Sequence, residues 1–261
     1  MKTLPIYIDE AGRGPLAGPM YVGLILPLSR LTKQEIQPFT DSKKLSEKKR
    51  EEFFAQIQSF HQRRKLIAIS TSVSHKEIDR YGMTNTLNLA ISRGLRELLY
   101  QMFLYIKSQT KDALCSCDHF SLLMVDTLFQ QKKRTYQQLN TILQHFNQDF
   151  QLNFHLYIDG NKDFRLSKTF STLKITTIID GDAKIKEIGM ASILAKVSRD
   201  RVMSSLPEKY KKYNFPQHKG YGTLGHKTAI EEYGPSDIHR KLFLKKLFPN
   251  HQMQKELPKG F

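Results

Sequence analysis

The sequence predicts an α/β fold, on three observations. Short apolar segments bounded by proline, glycine or acid recur along the first 180 residues; a long stretch after residue 84 carries helical periodicity; and strands then alternate with helices. Residues 4–9 (Leu-Pro-Ile-Tyr-Ile-Asp) predict a strand that ends on acid, and 19–27 a second, bounded by prolines. Asp41-Ser42-Lys43-Lys44-Leu45-Ser46 predicts a polar loop, with Ser46 as N-cap of a charged helix over 46–60. Residues 65–73 predict a third strand and 75–79 a helical turn. An amphipathic helix is expected over 84–107, with Leu87, Ala90, Ile91, Leu95, Leu98, Leu99 and Phe103 as its apolar positions. Residues 154–159 and 174–180 predict two more strands, each ending in aspartate. After 184 the chain reads helical, punctuated by Gly220, Gly222 and Gly234-Pro235.

A chain of 261 residues suits one large domain, and 39% hydrophobic residues with 16 Phe and 11 Tyr supply a sizeable core rather than disorder. The net charge of +16 would attract a polyanion, nucleic acid first. Cys115 and Cys117 are the two cysteines, which excludes a disulfide framework and a four-ligand zinc site of the usual spacing. With no apolar run of transmembrane length and no signal-peptide core at the N-terminus, the expectation is a cytoplasmic protein without a membrane partner.

Strands that end in acids place those side chains at one sheet edge, where open α/β sheets commonly host their sites. Asp9, Asp159 and either Asp180 or Asp182 share that edge on this reading. Glu10 follows Asp9, and neighbours on a regular strand point to opposite faces, so both serve one site only if the strand ends or bends there. Gly12 and Gly14 make a bend feasible. Converging carboxylates repel unless a hard cation neutralises them, and oxygen-only ligands favour Mg²⁺ or Mn²⁺, which in pairs suit phosphodiester chemistry. Taken singly, an aspartate more often caps a strand or turn; their common place on the edge is what points to a metal site. Ser192, Lys196 and Asp200 share one helix face. Lys196 and Asp200 are spaced for an i,i+4 salt bridge; the alternative is that Ser192 and Lys196 touch substrate phosphates.

The ordered motifs are more specific. Ile8-Asp9-Glu10-Ala11-Gly12-Arg13-Gly14-Pro15-Leu16-Ala17-Gly18-Pro19 resembles the opening signature of the type II ribonucleases H (RNase HII). Asp41–Leu45, Glu77-Ile78-Asp79 with Gly82 and Met83, Ile158-Asp159-Gly160-Asn161, and Gly181-Asp182 with Ala191–Val197 and Arg199-Asp200-Arg201 resemble its next blocks. His218–Thr223, and Gly234-Pro235-Ser236 with His239-Arg240 and Phe243, resemble its last two. Seven blocks in order across nearly the whole chain are a strong signal, where Asp-Glu alone would be worthless.

The resemblance implies an RNase H-like α/β fold, a mixed five-stranded sheet flanked by helices, with a helical C-terminal segment at 204–261 in a single catalytic domain, 1–261. It implies Asp9, Glu10, Asp159 and Asp182 as catalytic, metal-binding acids for two divalent ions, Mg²⁺ or Mn²⁺. It implies Gly12, Arg13, Gly14 and Tyr221 as readers of the junction between ribonucleotide and deoxyribonucleotide, and phosphate contacts by Lys43, Lys44, Ser192 or Lys196. The implied activity is endonucleolytic cleavage of RNA in RNA–DNA hybrids and at ribonucleotides embedded in duplex DNA, by a two-metal mechanism leaving 5′-phosphate and 3′-hydroxyl ends. The Gly-Arg-Gly form separates the chain from the type III enzymes, whose extra N-terminal domain it is expected to lack. The chain departs from the family pattern at 108–153, expected as a helical insertion on the surface, where Met124-Val125-Asp126 mimics the third acid strand without the following Gly-Asn. His239 and Arg240 are expected to tie the C-terminal helices together. The protein is expected to act as a monomer, with a sliding clamp as a possible partner of the tail at 252–261. The rival readings are a catalytically inactive basic nucleic-acid-binding protein and a type III nuclease.

Overall fold

The computed structural model describes residues 1–39, 42–109, 125–130 and 135–247. Five strands form one sheet: β1 (Lys2–Ala11), β2 (Met20–Pro27), β3 (Leu66–Val73), β4 (Leu152–Asp159) and β5 (Lys174–Ile178), in the order β3-β2-β1-β4-β5. The first three pair antiparallel, and β4 and β5 continue parallel from β1, so the sheet is mixed, as the resemblance implies. The two central strands are buried on both faces, which explains their near-continuous apolar runs.

Helices cover both faces. One face packs on α2 (His75–Gln109) and α3 (Tyr136–Gln148), with Leu87, Ile91, Leu95, Leu98 and Phe103 from the first and Ile142 and Phe146 from the second in one core with Leu4, Ile6 and Ile8. The other packs on α1 (Glu47–Gln62) and α4 (Lys186–Ser204), whose Phe54, Ile57 and Phe60 meet Ile193, Leu194 and Val197. Ser46 caps α1 as expected, accepting the Lys49 N–H at 3.2 Å. Two further helices, α5 (Leu224–Tyr233) and α6 (Lys241–Leu247), follow, with an aromatic cluster of Tyr210, Tyr213 and Phe215 packed against Ala17 and Met203.

Three details differ from expectation. β1 does not end at Asp9: it keeps its ladder with β2 through Ala11. β5 stops at Ile178, and Asp180 stands at φ 55° at the head of a short turn, Gly181–Lys184. The glutamine-rich stretch is a helix, but not a loose surface element. Leu139, Ile142, Leu143 and Phe146 are buried, each contributing about 1.5–3 kcal/mol, and even Gln138 is buried, donating to the Leu128 carbonyl at 2.8 Å. The segments 110–124, with Cys115 and Cys117, and 131–134 lie outside the described residues.

Candidate active site

The site begins where β1 outruns its parallel neighbour. The β1–β4 register ends at Ile8↔Ile158, and β4 turns away at Gly160 (φ 95°). Asp9 and Asp159 therefore stand side by side, one step beyond the last pair. Side chains alternate, so Asp9 shares the face of Tyr7, toward α4, and Glu10 the face of Ile8. Asp9 is 5% exposed. Its carboxylate accepts the Glu10 N–H at 2.7 Å and a hydrogen bond from the Ser192 hydroxyl. Burial, then the charges of Glu10 and Asp159, push it well above the ordinary carboxylate range, against those two hydrogen bonds.

Asp159 accepts the Gly181 N–H at 2.6 Å. The fit is close: a Cβ at 181 would sit 2.9 Å from Ile188 Cδ1 and 3.1 Å from Asp159 Oδ1. The next residue, Asp182, is buried, while Asp180 is exposed. Among the described residues no three acids, histidines or cysteines are drawn together into a ready-made metal cage. Glu10 pairs with Arg13 at 3.1 Å, and Asp159 accepts the Gly181 N–H. An all-oxygen, mutually repelling, largely buried donor set fits a hard divalent cation.

Helix α4 supplies Ser192, and Gly23 lets it approach. Gly23 faces Asp9 across the ladder, and a Cβ there would meet the Ala191 carbonyl oxygen at 2.2 Å. Ser192 Oγ also lies 2.8 Å from Ser42 Oγ, which ties the Ser42–Lys44 turn to the acids. Lys44 is exposed there; the side chain of Lys43 lies outside the described residues, as does Asp41. Farther along α4, Lys196 and Asp200 form the i,i+4 salt bridge at 2.8 Å, and Lys196 Nζ stands 5.6 Å from the ring centre of Tyr221.

The loop Gly12–Pro19 is held from behind by two fully buried arginines. Arg240 donates to the carbonyls of Gly12 (2.7 Å), Arg13 (3.1 Å), Gly18 (3.0 Å) and Pro19 (3.1 Å). Arg199 donates to Pro19 (2.9 Å) and Ala17 (3.3 Å). Gly12, at φ 95°, has no room for a side chain, since a Cβ would meet Arg199 Nε at 2.2 Å. Burial, and then Arg199, lower Arg240 to about 9, which leaves it charged at neutral pH. Arg199 also underlies the Tyr221 ring at 5.5 Å, and that ring is 39% exposed. Arg13 reaches outward, over Phe164 at 5.7 Å.

The family model for ribonuclease HII matches residues 6–122 and 126–248. The chain belongs to the ribonuclease HII family. Among its relatives, the ribonuclease HII of Fusobacterium nucleatum is 32% identical over 248 residues, covering 95% of this chain and 88% of that protein. The ribonuclease HII of Campylobacter concisus is 34% identical, covering 91% of each. Two solved structures share the fold: the PCNA:RNase HII complex from Archaeoglobus fulgidus (TM-score 0.52, 18% identity, 91% of this chain and 94% of that one) and ribonuclease H2 from Pyrococcus horikoshii (TM-score 0.51, 19% identity, 95% and 100%). The chain is thus a ribonuclease H, an enzyme.

Within this RNase HII framework, Asp9 and Asp159 stand together at the sheet edge; Glu10, although β1 runs on without the expected bend and turns it to the other face, is still close enough for its charge to act on Asp9. Asp182 lies in the adjoining turn, Ser192 touches Asp9, and Gly12 and Tyr221 both lie against Arg199. Sequence reasoning missed Ser42 and Phe164, and it assigned Arg240 to the C-terminal helices when its guanidinium grips the glycine loop.

Proposed function

We propose that the chain is an endonuclease that hydrolyses the RNA strand of RNA–DNA hybrids and cuts at ribonucleotides embedded in duplex DNA. The observation that carries this is the adjacency of a buried carboxylate set and a glycine loop beside a half-exposed tyrosine at one end of β1. Asp9, Glu10, Asp159 and Asp182 would hold two divalent cations, Mg²⁺ or Mn²⁺, which when bound supply activation of water and charge stabilisation for the leaving oxygen.

The chain's own residues do the positioning. Ser192 and the Glu10 amide fix the Asp9 carboxylate. The Gly12 and Arg13 carbonyls point at Arg240, and a trans peptide sets its N–H opposite its C=O, so the Arg13 and Gly14 amides face away from the guanidinium. Gly14 is exposed and the space a Cβ would take there is open, so a 2′-hydroxyl, the mark of RNA, can approach those amides. The Tyr221 ring offers a stacking surface for the adjoining sugar or base. Lys43, Lys44 and Lys196 add charge for the flanking phosphates. Cleavage leaves 5′-phosphate and 3′-hydroxyl ends. The Archaeoglobus fulgidus relative was solved with PCNA; we extend the reading to a sliding clamp bound through 252–261, outside the described residues, which deletion of that tail would abolish.

A substrate panel in Mg²⁺ and then Mn²⁺ tests this: a duplex with one embedded ribonucleotide, a long hybrid and an all-DNA duplex. The first two are cut and the third is spared. If long hybrids are cut and the one-ribonucleotide duplex is left whole, the junction assignment fails.

A further inference from the structure

Behind Tyr221 three histidines lie together. His226 and His239 are 0% and 2% exposed, and His218 stacks on His226 with ring centres 4.3 Å apart. Backbone groups fix which ring nitrogen donates. The Ser236 N–H can only donate, so His239 Nδ1, 2.9 Å away, carries no proton. His239 Nε2 therefore carries it and donates to His226 Nε2 at 3.0 Å. With Nε2 accepting, the proton of His226 sits on Nδ1 and is donated to the Tyr221 carbonyl at 2.9 Å. His218 is ordered the same way, accepting the Gly220 N–H on Nδ1 (3.2 Å) and donating from Nε2 to the Tyr213 carbonyl (2.7 Å).

The origin of this line is the segment that grips the glycine loop. His239 bridges Ala17, the Gly18 N–H donates to the Ile238 carbonyl (2.9 Å), the Arg240 N–H donates to the Leu16 carbonyl (2.7 Å), and the Arg240 guanidinium holds the carbonyls of Gly12 and Arg13. Residues 236–240 thus hold the loop directly and reach Tyr221 through two imidazoles.

We propose that Ser236, His239 and His226 form a hydrogen-bond relay that holds Tyr221 in register with the Gly12–Gly14 backbone. His226 and His239 are positioning residues, acting through Tyr221. The relay has one direction: donation runs from Ser236 to the Tyr221 carbonyl. An added proton on His226 Nε2 would face the His239 N–H across 3.0 Å, and one on His239 Nδ1 would face the Ser236 N–H across 2.9 Å. Its consequence for RNA recognition rests on the function proposed above; the anchoring of Tyr221 does not.

The chain contains no tryptophan, so Tyr221→Trp installs a single tryptophan, excited to the red of the tyrosines, whose acrylamide quenching reports its mobility without any reference to activity. In that background His226→Asn keeps a donor near the place of Nδ1, whereas His226→Leu keeps the bulk and removes the donor. Quenching is expected to stay near the Tyr221→Trp level with His226→Asn and to rise about fivefold with His226→Leu, the population change expected from one lost hydrogen bond. His239→Leu, one link farther from Tyr221, raises it as well. Equal quenching in the Asn and Leu variants, or none gained with His239→Leu, overturns the relay. If His226→Leu does not fold, the contrast of His239→Leu with His226→Asn decides in the same way. Separately, with native Tyr221, His226→Leu lowers kcat/KM on the one-ribonucleotide duplex and His226→Asn retains it. A fluorescence contrast without that kinetic contrast counts against the junction reading and leaves the relay standing.

Discussion

Gly12 is the residue on which the loop between β1 and β2, proposed above to face the substrate, turns. Its φ of 95° and the 2.2 Å approach of Arg199 Nε to a hypothetical Cβ leave neither conformational nor steric room for a side chain. Gly12→Ala is therefore expected to cost about 2 kcal/mol or more, combining backbone strain with displacement of a buried guanidinium, measured by urea unfolding. An unchanged midpoint would mean the loop is not held as described. This glycine, like the acids beside it, is legible in the sequence because the whole signature occurs at once. The arginines behind it are not. A buried charged residue leaves no local trace, and what buries Arg199 and Arg240 is five loop carbonyls contributed by a segment some 180 to 230 positions earlier.

At the level of elements, the decisive contact is α4 against β2. Gly23 opposite Asp9 lets the Ala191 backbone come close, and Ser192 reaches the carboxylate as a result. Gly23→Ala forces the helix outward. The expected loss is about 1–3 kcal/mol of stability, with kcat lowered by roughly 10²-fold because the carboxylate loses its fixed orientation. Full activity in a folded Gly23→Ala chain would remove Ser192 from the account. The strands themselves were readable, since Ile-Tyr-Ile-Asp alternation and flanking prolines are local signals. The continuation of β1 through Glu10 to Ala11 was not, because the β2 ladder imposes it. Nor was the burial of α3, whose glutamines look solvated until Gln138 is seen bonded to Arg96 and Leu128.

For the whole molecule, the buried histidines set an acid limit. Burial lowers His226 to about 4, and burial and then His226 lower His239 to about 3, from 6.5. The unfolded chain takes up these protons first. Stability is thus full above pH 6.5 and falls as pH drops, through about 4 for His226 and about 3 for His239, by up to about 1.4 kcal/mol per pH unit for each. Urea midpoints compared at pH 7.5 and 5 read this slope, and a His226→Asn, His239→Asn chain is expected to show a shallower one. An identical slope would mean that other groups govern the acid limit.

On the proposed function, residues from β1, β4 and the turn after β5 form one cutting site beside a loop and tyrosine that read RNA in DNA. Mapping the ends left on a duplex with one embedded ribonucleotide in Mg²⁺ tests it most directly, for the parent chain beside Asp9→Asn. The parent is expected to yield a single cut at the ribonucleotide with 5′-phosphate and 3′-hydroxyl ends, and Asp9→Asn none. Cleavage by Asp9→Asn at the parental rate, or no cleavage by the parent, would contradict it.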